Sequence, residues 1–302
     1  MPFYTGTITG GGGAGLRAKV EECLTANSPV WTQKSLGNTA SYAWTLWEND
    51  GSHAWAGGRK WYLLLASTAT DLRIAVAEEY DAVNGLVGAT TRNVSGSITL
   101  DSLGRKSGYS ALASTGTFYN NLYLTNIPTS ATYTYWIVVT PEGVFMKHSN
   151  DGSTNAYCYA GLFESVLAPL VPGSPTFDFP LAVVSTDRAQ ADCYSVFTRA
   201  PGRGGVSLTY PFTLQTTVPF SSSLGTLPTG HAALGGKALL TRIGVYHGYS
   251  TCQYAPRGHL PDWLLQSGSL DAGVAVNDTI TVNGATHRCM HTNDKLWMRE
   301  VA

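Results

Sequence analysis

His287, Cys289 and His291 stand at spacing two in Thr286-His287-Arg288-Cys289-Met290-His291. Side chains alternate between the faces of an extended strand, so these three would project together. Imidazole and thiolate are donors that zinc and copper accept, which makes the triplet the sharpest metal signal in the chain. The strand has to reach His291, however, and donors such as His247 or Cys252 have to pair alongside. Polar residues on a solvent-facing strand are the default, so no metal and no cofactor are assigned.

Signals for covalent or acid–base catalysis are poorer still. The chain lacks G-x-S-x-G and H-E-x-x-H, and its Ser, His and Asp residues show no local grouping. Paired carboxylates for glycoside hydrolysis are brought together by the fold, and Glu78, Glu79 and Asp192 are ordinary surface candidates. No catalytic residue is assigned, and the chain is read as not being an enzyme. Gly10, Gly12 and Gly15 spell a formal G-x-G-x-x-G. A dinucleotide site would need a buried parallel strand before it and an acidic residue about 20 positions on. Phe3 to Ile8 is too short and too polar for that strand, and the acid is missing. The glycines therefore read as a flexible linker, with Phe3 to Gly15 a mobile arm that orders on a neighbouring subunit.

The five cysteines, Cys23, Cys158, Cys193, Cys252 and Cys289, lack CxxC spacing. An odd, dispersed set argues against a zinc ribbon or a secreted disulfide scaffold and favours packed thiols. If any thiol bridges two subunits, Cys23 and Cys289 are the candidates, being nearest the chain ends.

These residues must be positioned by a β framework. Charged residues are only 13% of the 302, about half the usual share. Abundant glycine, serine and threonine suit an all-β protein with many turns. A net charge of −1 offers no footprint for nucleic acid or an anionic membrane. So neutral a surface is prone to associate, which favours an obligate assembly. Met1 to Gly6 shows neither the basic nor the apolar region of a secretory leader, and no apolar run approaches the roughly 18 residues of a membrane span.

The organising stretch is Thr132 to Phe163. Tyr133–Thr140, Val144–His148 and Ala156–Phe163 read as three antiparallel strands in the middle of a sheet. Pro141-Glu142-Gly143 forms the first hairpin loop, with Gly143 supplying a positive φ, and Asp151-Gly152 marks the second turn. Ahead of it, Leu16, Val20, Cys23 and Leu24 share one face of a helix that ends near Asn27-Ser28-Pro29. Tyr42, Trp44 and Leu46 alternate onto one face of a strand, with Trp47 on the other. Trp61 to Leu65 is a buried strand, and Asp71 to Glu79 a strand with helix as the alternative. Trp55, in a glycine-rich loop, is an interface candidate, as are Phe3 and Tyr4 in the arm. The prolines at 169, 172, 175 and 180 suggest a linker or a long crossing. Beyond it, Leu181–Ser185, Cys193–Thr198 and Lys237–Tyr249 resume β character, and Arg257 to Leu264 is turn-rich around Pro261. Asp278–Val282, Asn283-Gly284 and Ala285–Met290 form a two-residue hairpin, and Leu296 to Val301 adds a last strand. The fold class is mainly β, antiparallel and sandwich-like, with one N-terminal amphipathic helix. The chain divides at 1–170 and 171–302, or forms one continuous domain.

Several segments together resemble a group of tailed-bacteriophage virion proteins. They are Phe3-Tyr4-Thr5-Gly6-Thr7, the helix ending Leu24-Thr25-Ala26-Asn27, then Trp31, Tyr135-Trp136-Ile137, Tyr159-Ala160-Gly161-Leu162-Phe163 and Phe179-Pro180-Leu181. The resemblance is best over the first 185 residues, and it does not extend to His287-Arg288-Cys289. It implies a viral structural protein of the tail, neck, collar or baseplate. Such a protein is assembled in the host cytoplasm into the virion and binds itself and other virion proteins in rings or a sheath, without nucleic acid or membrane as partner. The rival expectations are a carbohydrate- or receptor-binding tail protein, with Trp55 stacking on sugars, and a hydrolase.

Overall fold

Apolar residues in Tyr133–Val139 and Val144–His148 are near-continuous, so both faces of these strands have to be covered. The computed structural model describes residues 3–38, 43–77, 79–81, 85–87, 123–124, 126–150, 154–165, 180–185, 194–195, 240–247, 255–266, 275, 277–291 and 296–299. In chain order the elements are β1 (Phe3–Thr9), α1 (Gly12–Ala26), β2 (Trp31–Asn38), β3 (Ala43–Asn49), β4 (Trp61–Ser67), β5 (Leu72–Ala77), β6 (Glu79–Asp81), β7 (Gly85–Val87), β8 (Tyr123–Leu124) and β9 (Thr132–Val139). There follow β10 (Gly143–Asn150), β11 (Thr154–Leu162), β12 (Glu164–Ser165), β13 (Leu181–Ser185), β14 (Tyr194–Ser195), β15 (Leu240–His247), β16 (Ala255–Gln266), β17 (Thr279–Val282), β18 (Ala285–His291) and β19 (Leu296–Arg299).

The protein is mainly β, with antiparallel sheets and α1 as the one α-helix among the described residues. A central sheet has the order β1-β9-β10-β11-β13-β14, which puts the predicted meander in its middle. A second sheet runs β2-β3-β4-β5-β8. A C-terminal sheet runs β12-β16-β19-β18-β17, with β15 also paired to β16. Strands from both sides of residue 170 share the central sheet, because β13 pairs with β11. Ile137, Val139, Val144, Met146, Cys158, Ala160 and Leu162 of the central sheet meet Leu63, Leu65, Ile74 and Val76 of the second sheet in one core. Leu16, Val20, Cys23 and Leu24 of α1 enter the same core, as their helical spacing predicts. Trp44 and Leu46 lie in a separate cluster on the other face of β3, while Trp47 belongs to the main core.

Four local expectations need correction. The segment before the glycines is no mobile arm. Phe3 to Thr9 pair residue by residue with Val138 to Thr132, and Tyr4 and Ile8 pack on the core. An antiparallel edge strand needs apolar residues on one side only, so its polarity was a poor guide. Gly143 has no positive φ. Thr140 and Gly143 exchange backbone hydrogen bonds of 2.9 and 3.3 Å around Pro141-Glu142. Glycine is required there because a Cβ would stand 2.6 Å from Ala160 O. The segment around Pro261 is no turn but part of the long strand β16. Its pairing with β15 slips between Arg242 and Gly244 and again between Val245 and Tyr246, next to Pro261 and Pro256. Proline is tolerated at such bulges because no ladder hydrogen bond is asked of it. Finally, β2 was not foreseen. It is an edge strand that buries only Trp31, and its sequence carries almost no apolar pattern.

The terminal hairpin follows expectation. Val282 pairs with Ala285, and Asn283 and Gly284 have φ of 50° and 78°, the two positive values a type I′ turn needs.

Candidate functional site

The glycine motif opens α1, and its geometry decides what it can bind. A helix start leaves backbone N–H groups that an anion can use. Here Gly12 N–H donates to Pro128 O at 3.0 Å and Gly13 N–H to Ala69 O at 3.1 Å. The approach is so close that a Cβ on Gly12 would lie 1.8 Å from Ala69 O, and one on Gly13 2.1 Å from Asp71 O. Tyr133 Oη donates to Gly12 O at 3.1 Å. The glycines therefore dock the helix start against two loops, and the Gly12 and Gly13 donors that a phosphate would need are already used. They form a tight turn, with Gly10, Gly11 and Gly12 all at positive φ, and not a flexible linker.

The metal candidates lie where the C-terminal sheet meets the outer face of the central sheet. His287 and Cys289 are buried neighbours on one face of β18, as the spacing predicts. The register of β18 against β19 slips between Cys289 and His291, so the third residue leaves the regular alternation. His247 lies on β15, which pairs β16 and not β18, so it does not stand alongside. Cys252 lies outside the described residues. A cation, Lys147, lies within electrostatic reach of Cys289. Lys147 is fully buried, with Nζ 4.6 Å from the centroid of the Trp136 ring. Burial lowers its pKa to about 8. Trp136 Nε1 donates in turn to Asn277 Oδ1 at 3.0 Å, and the Arg288 guanidinium stands 5.1 Å from the Phe3 ring. Asn277, at φ 80°, also accepts from Arg288 Nη1 through its carbonyl at 2.9 Å. This constellation latches the terminal hairpin to the central sheet. Among the described residues no group of three or more His, Cys, Asp or Glu has metal-binding geometry.

Of the carboxylates considered for hydrolysis, Glu79 is on β6, while Glu78 and Asp192 lie outside the described residues. The best-organised carboxylate is another one, Glu48. It accepts from Lys60 Nζ at 2.8 Å and from Tyr62 Oη at 3.1 Å, and Lys34 Nζ is 3.4 Å away. Burial alone would raise its pKa, but these donors and cations hold it below the ordinary value. Its work is to tie β2, β3 and β4 together at their polar end.

Cys23 and Cys289 are both buried within the chain, as is Cys158. Burial, reinforced by Glu22, pushes the Cys23 thiol up to about 12, far from the reactive thiolate form.

The interface candidates fall at two places. Phe3 and Tyr4 are half-buried on β1, where Asn27 Nδ2 donates to Tyr4 Oη at 3.3 Å. Trp55 lies in a single 3₁₀ turn, Ala54–Ala56, half-buried against the main core. Its ring meets His53 edge to face at 4.7 Å. His53 Nε2 reaches Glu142 Oε1 at 3.3 Å, and Asn49 Nδ2 donates to Pro141 O at 3.1 Å. The Trp55 loop is thus fastened to the β9–β10 turn, so this tryptophan helps hold the two sheets together.

A further surface feature was missed in the sequence. Leu36, on β2, is 67% exposed, the one exposed large hydrophobic side chain among the described residues. Thr32, Gln33, Lys34 and Asn38 of the same strand are exposed as well. Among the described residues β2 ends the second sheet, and β1 ends the central one. A lone leucine among polar residues, in Lys34-Ser35-Leu36-Gly37-Asn38, is the only sequence trace of it. Neither protein-family models nor curated proteins give a match to the chain.

Proposed function

We propose that this chain is a structural subunit of a tailed-bacteriophage virion, acting by binding copies of itself and neighbouring virion proteins. The observation that carries the reading is the open edge of the second sheet. Among the described residues no strand pairs with the outer side of β2, which presents the exposed Leu36 on a strand where Thr32, Gln33 and Lys34 are exposed as well, Lys34 being paired with Glu48. Strand edges are templates for pairing with another chain, and here the bulge between Gln33 and Ser35 leaves the stretch around Leu36 as the part that can pair. The resemblance of Tyr135-Trp136-Ile137 and Tyr159-Ala160-Gly161-Leu162-Phe163 to virion proteins supports the same reading. So does the use of the chemically capable side chains: Lys147, His287 and Cys289 are buried in the seam between sheets. Labelling purified particles with an antibody against the chain tests it. The expected result is a discrete, repeated label at one level of the particle. A chain that stays in the soluble lysate and is absent from purified particles contradicts it.

A further inference from the structure

β1 is joined to the rest of the chain in an unusual way. Its seven residues pair with β9, which lies more than 120 positions later in the sequence. Tyr4 and Ile8 rest on the main core, and Phe3 lies under Arg288. The glycine turn joins β1 to α1. On the strand side, Gly10 N–H continues the ladder by donating to Ala131 O at 3.0 Å. On the helix side, Gly12 and Gly13 are locked to Pro128 and Ala69. Between these anchors sits exposed Gly11, at φ 82°. One glycine therefore separates a strand with a complete set of pairings from a fixed helix.

From this we propose that β1 is exchanged between copies, the β1 of one subunit occupying the edge of β9 in the next. The proposal rests on the assembly reading above and adds a second contact between copies to the one at the β2 edge. Swapping an identical element preserves its main contacts, because every partner of β1 in β9 and the C-terminal sheet is equally present in a neighbour. The balance between closed and exchanged forms then depends on concentration. Even once the glycine turn has opened, so short a link gives the chain's own strand an effective concentration of about a millimolar or more, and only crowding of that order lets a neighbour compete. Dilute subunits keep β1, and assembled ones trade it. The occupant is a second copy, since the pocket is complementary to this sequence in this register.

Thr9 and Thr132 provide the test. They are register partners with Oγ1 atoms 2.9 Å apart, and both are exposed. The double variant Thr9→Cys/Thr132→Cys, oxidised when dilute, establishes that the pair closes within one chain. Copies carrying only Thr9→Cys are then mixed with copies carrying only Thr132→Cys, concentrated until they assemble, and oxidised. Exchange predicts a new band at twice the monomer mass that is absent from the parent protein, with the 9–132 bridge identified by peptide mass. Oligomers seen by sedimentation but lacking that bridge, while the double variant closes internally, overturn the exchange and leave assembly standing. If no oligomer forms at any concentration, the assembly reading falls and the exchange with it. Should the double variant fail to close, Gly-Ser residues inserted after Gly11 supply the second readout. A longer link favours the closed form and shrinks the oligomer, and an unchanged oligomer overturns the exchange.

Discussion

The two faces of the central sheet are built from alternate residues of the same three strands, yet they join to their neighbours in different ways. The inner face, with Ile137, Val139, Val144 and Met146, meets the second sheet and α1 through apolar side chains. The outer face, with Trp136, Phe145, Lys147 and Tyr159, meets the C-terminal sheet through a buried cation, an indole N–H and an asparagine. An apolar seam gains free energy in proportion to the area removed from water. A polar seam gains little net, but it fixes register, because each misplaced polar group is left without a partner. The inner seam should therefore dominate stability, and the outer seam should decide where the terminal hairpin sits.

Truncating the inner seam gives the largest effect. Ile137→Ala should cost about 3 kcal/mol, read as a shift in the urea midpoint, with no loss specific to the C-terminal sheet. Trp136→Phe on the outer face removes the donor to Asn277 and should cost about 1 kcal/mol. Its signature is local: hydrogen exchange should quicken in Thr279 to Cys289 before it does in β9 or β10. Equal acceleration throughout would erase the distinction between the seams.

Lys147→Met should cost least, because replacing a buried charge by an apolar side chain of similar size is often neutral or stabilising. Burial lowers the lysine pKa from 10.5 to about 8. Between those values the unfolded chain holds a proton that the folded chain has lost, so stability rises with pH across that window. Below about pH 8 both states are protonated and the full cost of burial is carried. At pH 7 the variant should unfold at the parent's midpoint or up to about 2 kcal/mol above it. The parent's gain in stability between pH 8 and 10 should be largely lost in the variant. A variant clearly less stable than its parent at pH 7 would show that the cation strengthens the seam.

Much of this framework was legible in the chain. The helix face at Leu16, Val20, Cys23 and Leu24, the opposed faces of Trp44 and Trp47, and the Asn283-Gly284 turn follow from periodicity and turn chemistry, which are local. What escaped was set at a distance. β2 is a strand because β3 offers it an edge, so its own residues hardly need to say so. Pro261 reads as a breaker until a bulge in the pairing accommodates it. Gly12 and Gly13 look like a loop because the carbonyls of Ala69 and Asp71, which exclude any side chain there, lie far along the sequence. The candidate site was legible only in part. The shared face of His287 and Cys289 could be read, but the arrival of Lys147 beside them could not, and Leu36 becomes conspicuous only once β2 is known to be an edge.

We propose that the chain works by assembly, with the β2 edge around Leu36 as a contact between copies. Sedimentation velocity tests it most directly, run on the parent and on Leu36→Lys across a concentration series. Leu36 is 67% exposed, so the substitution should alter monomer stability by no more than about 0.5 kcal/mol. The account predicts a parent that shifts to larger species as concentration rises and a variant that stays monomeric at least tenfold further up the series. A parent that sediments as a monomer throughout, or a variant that assembles as readily as the parent, would contradict it.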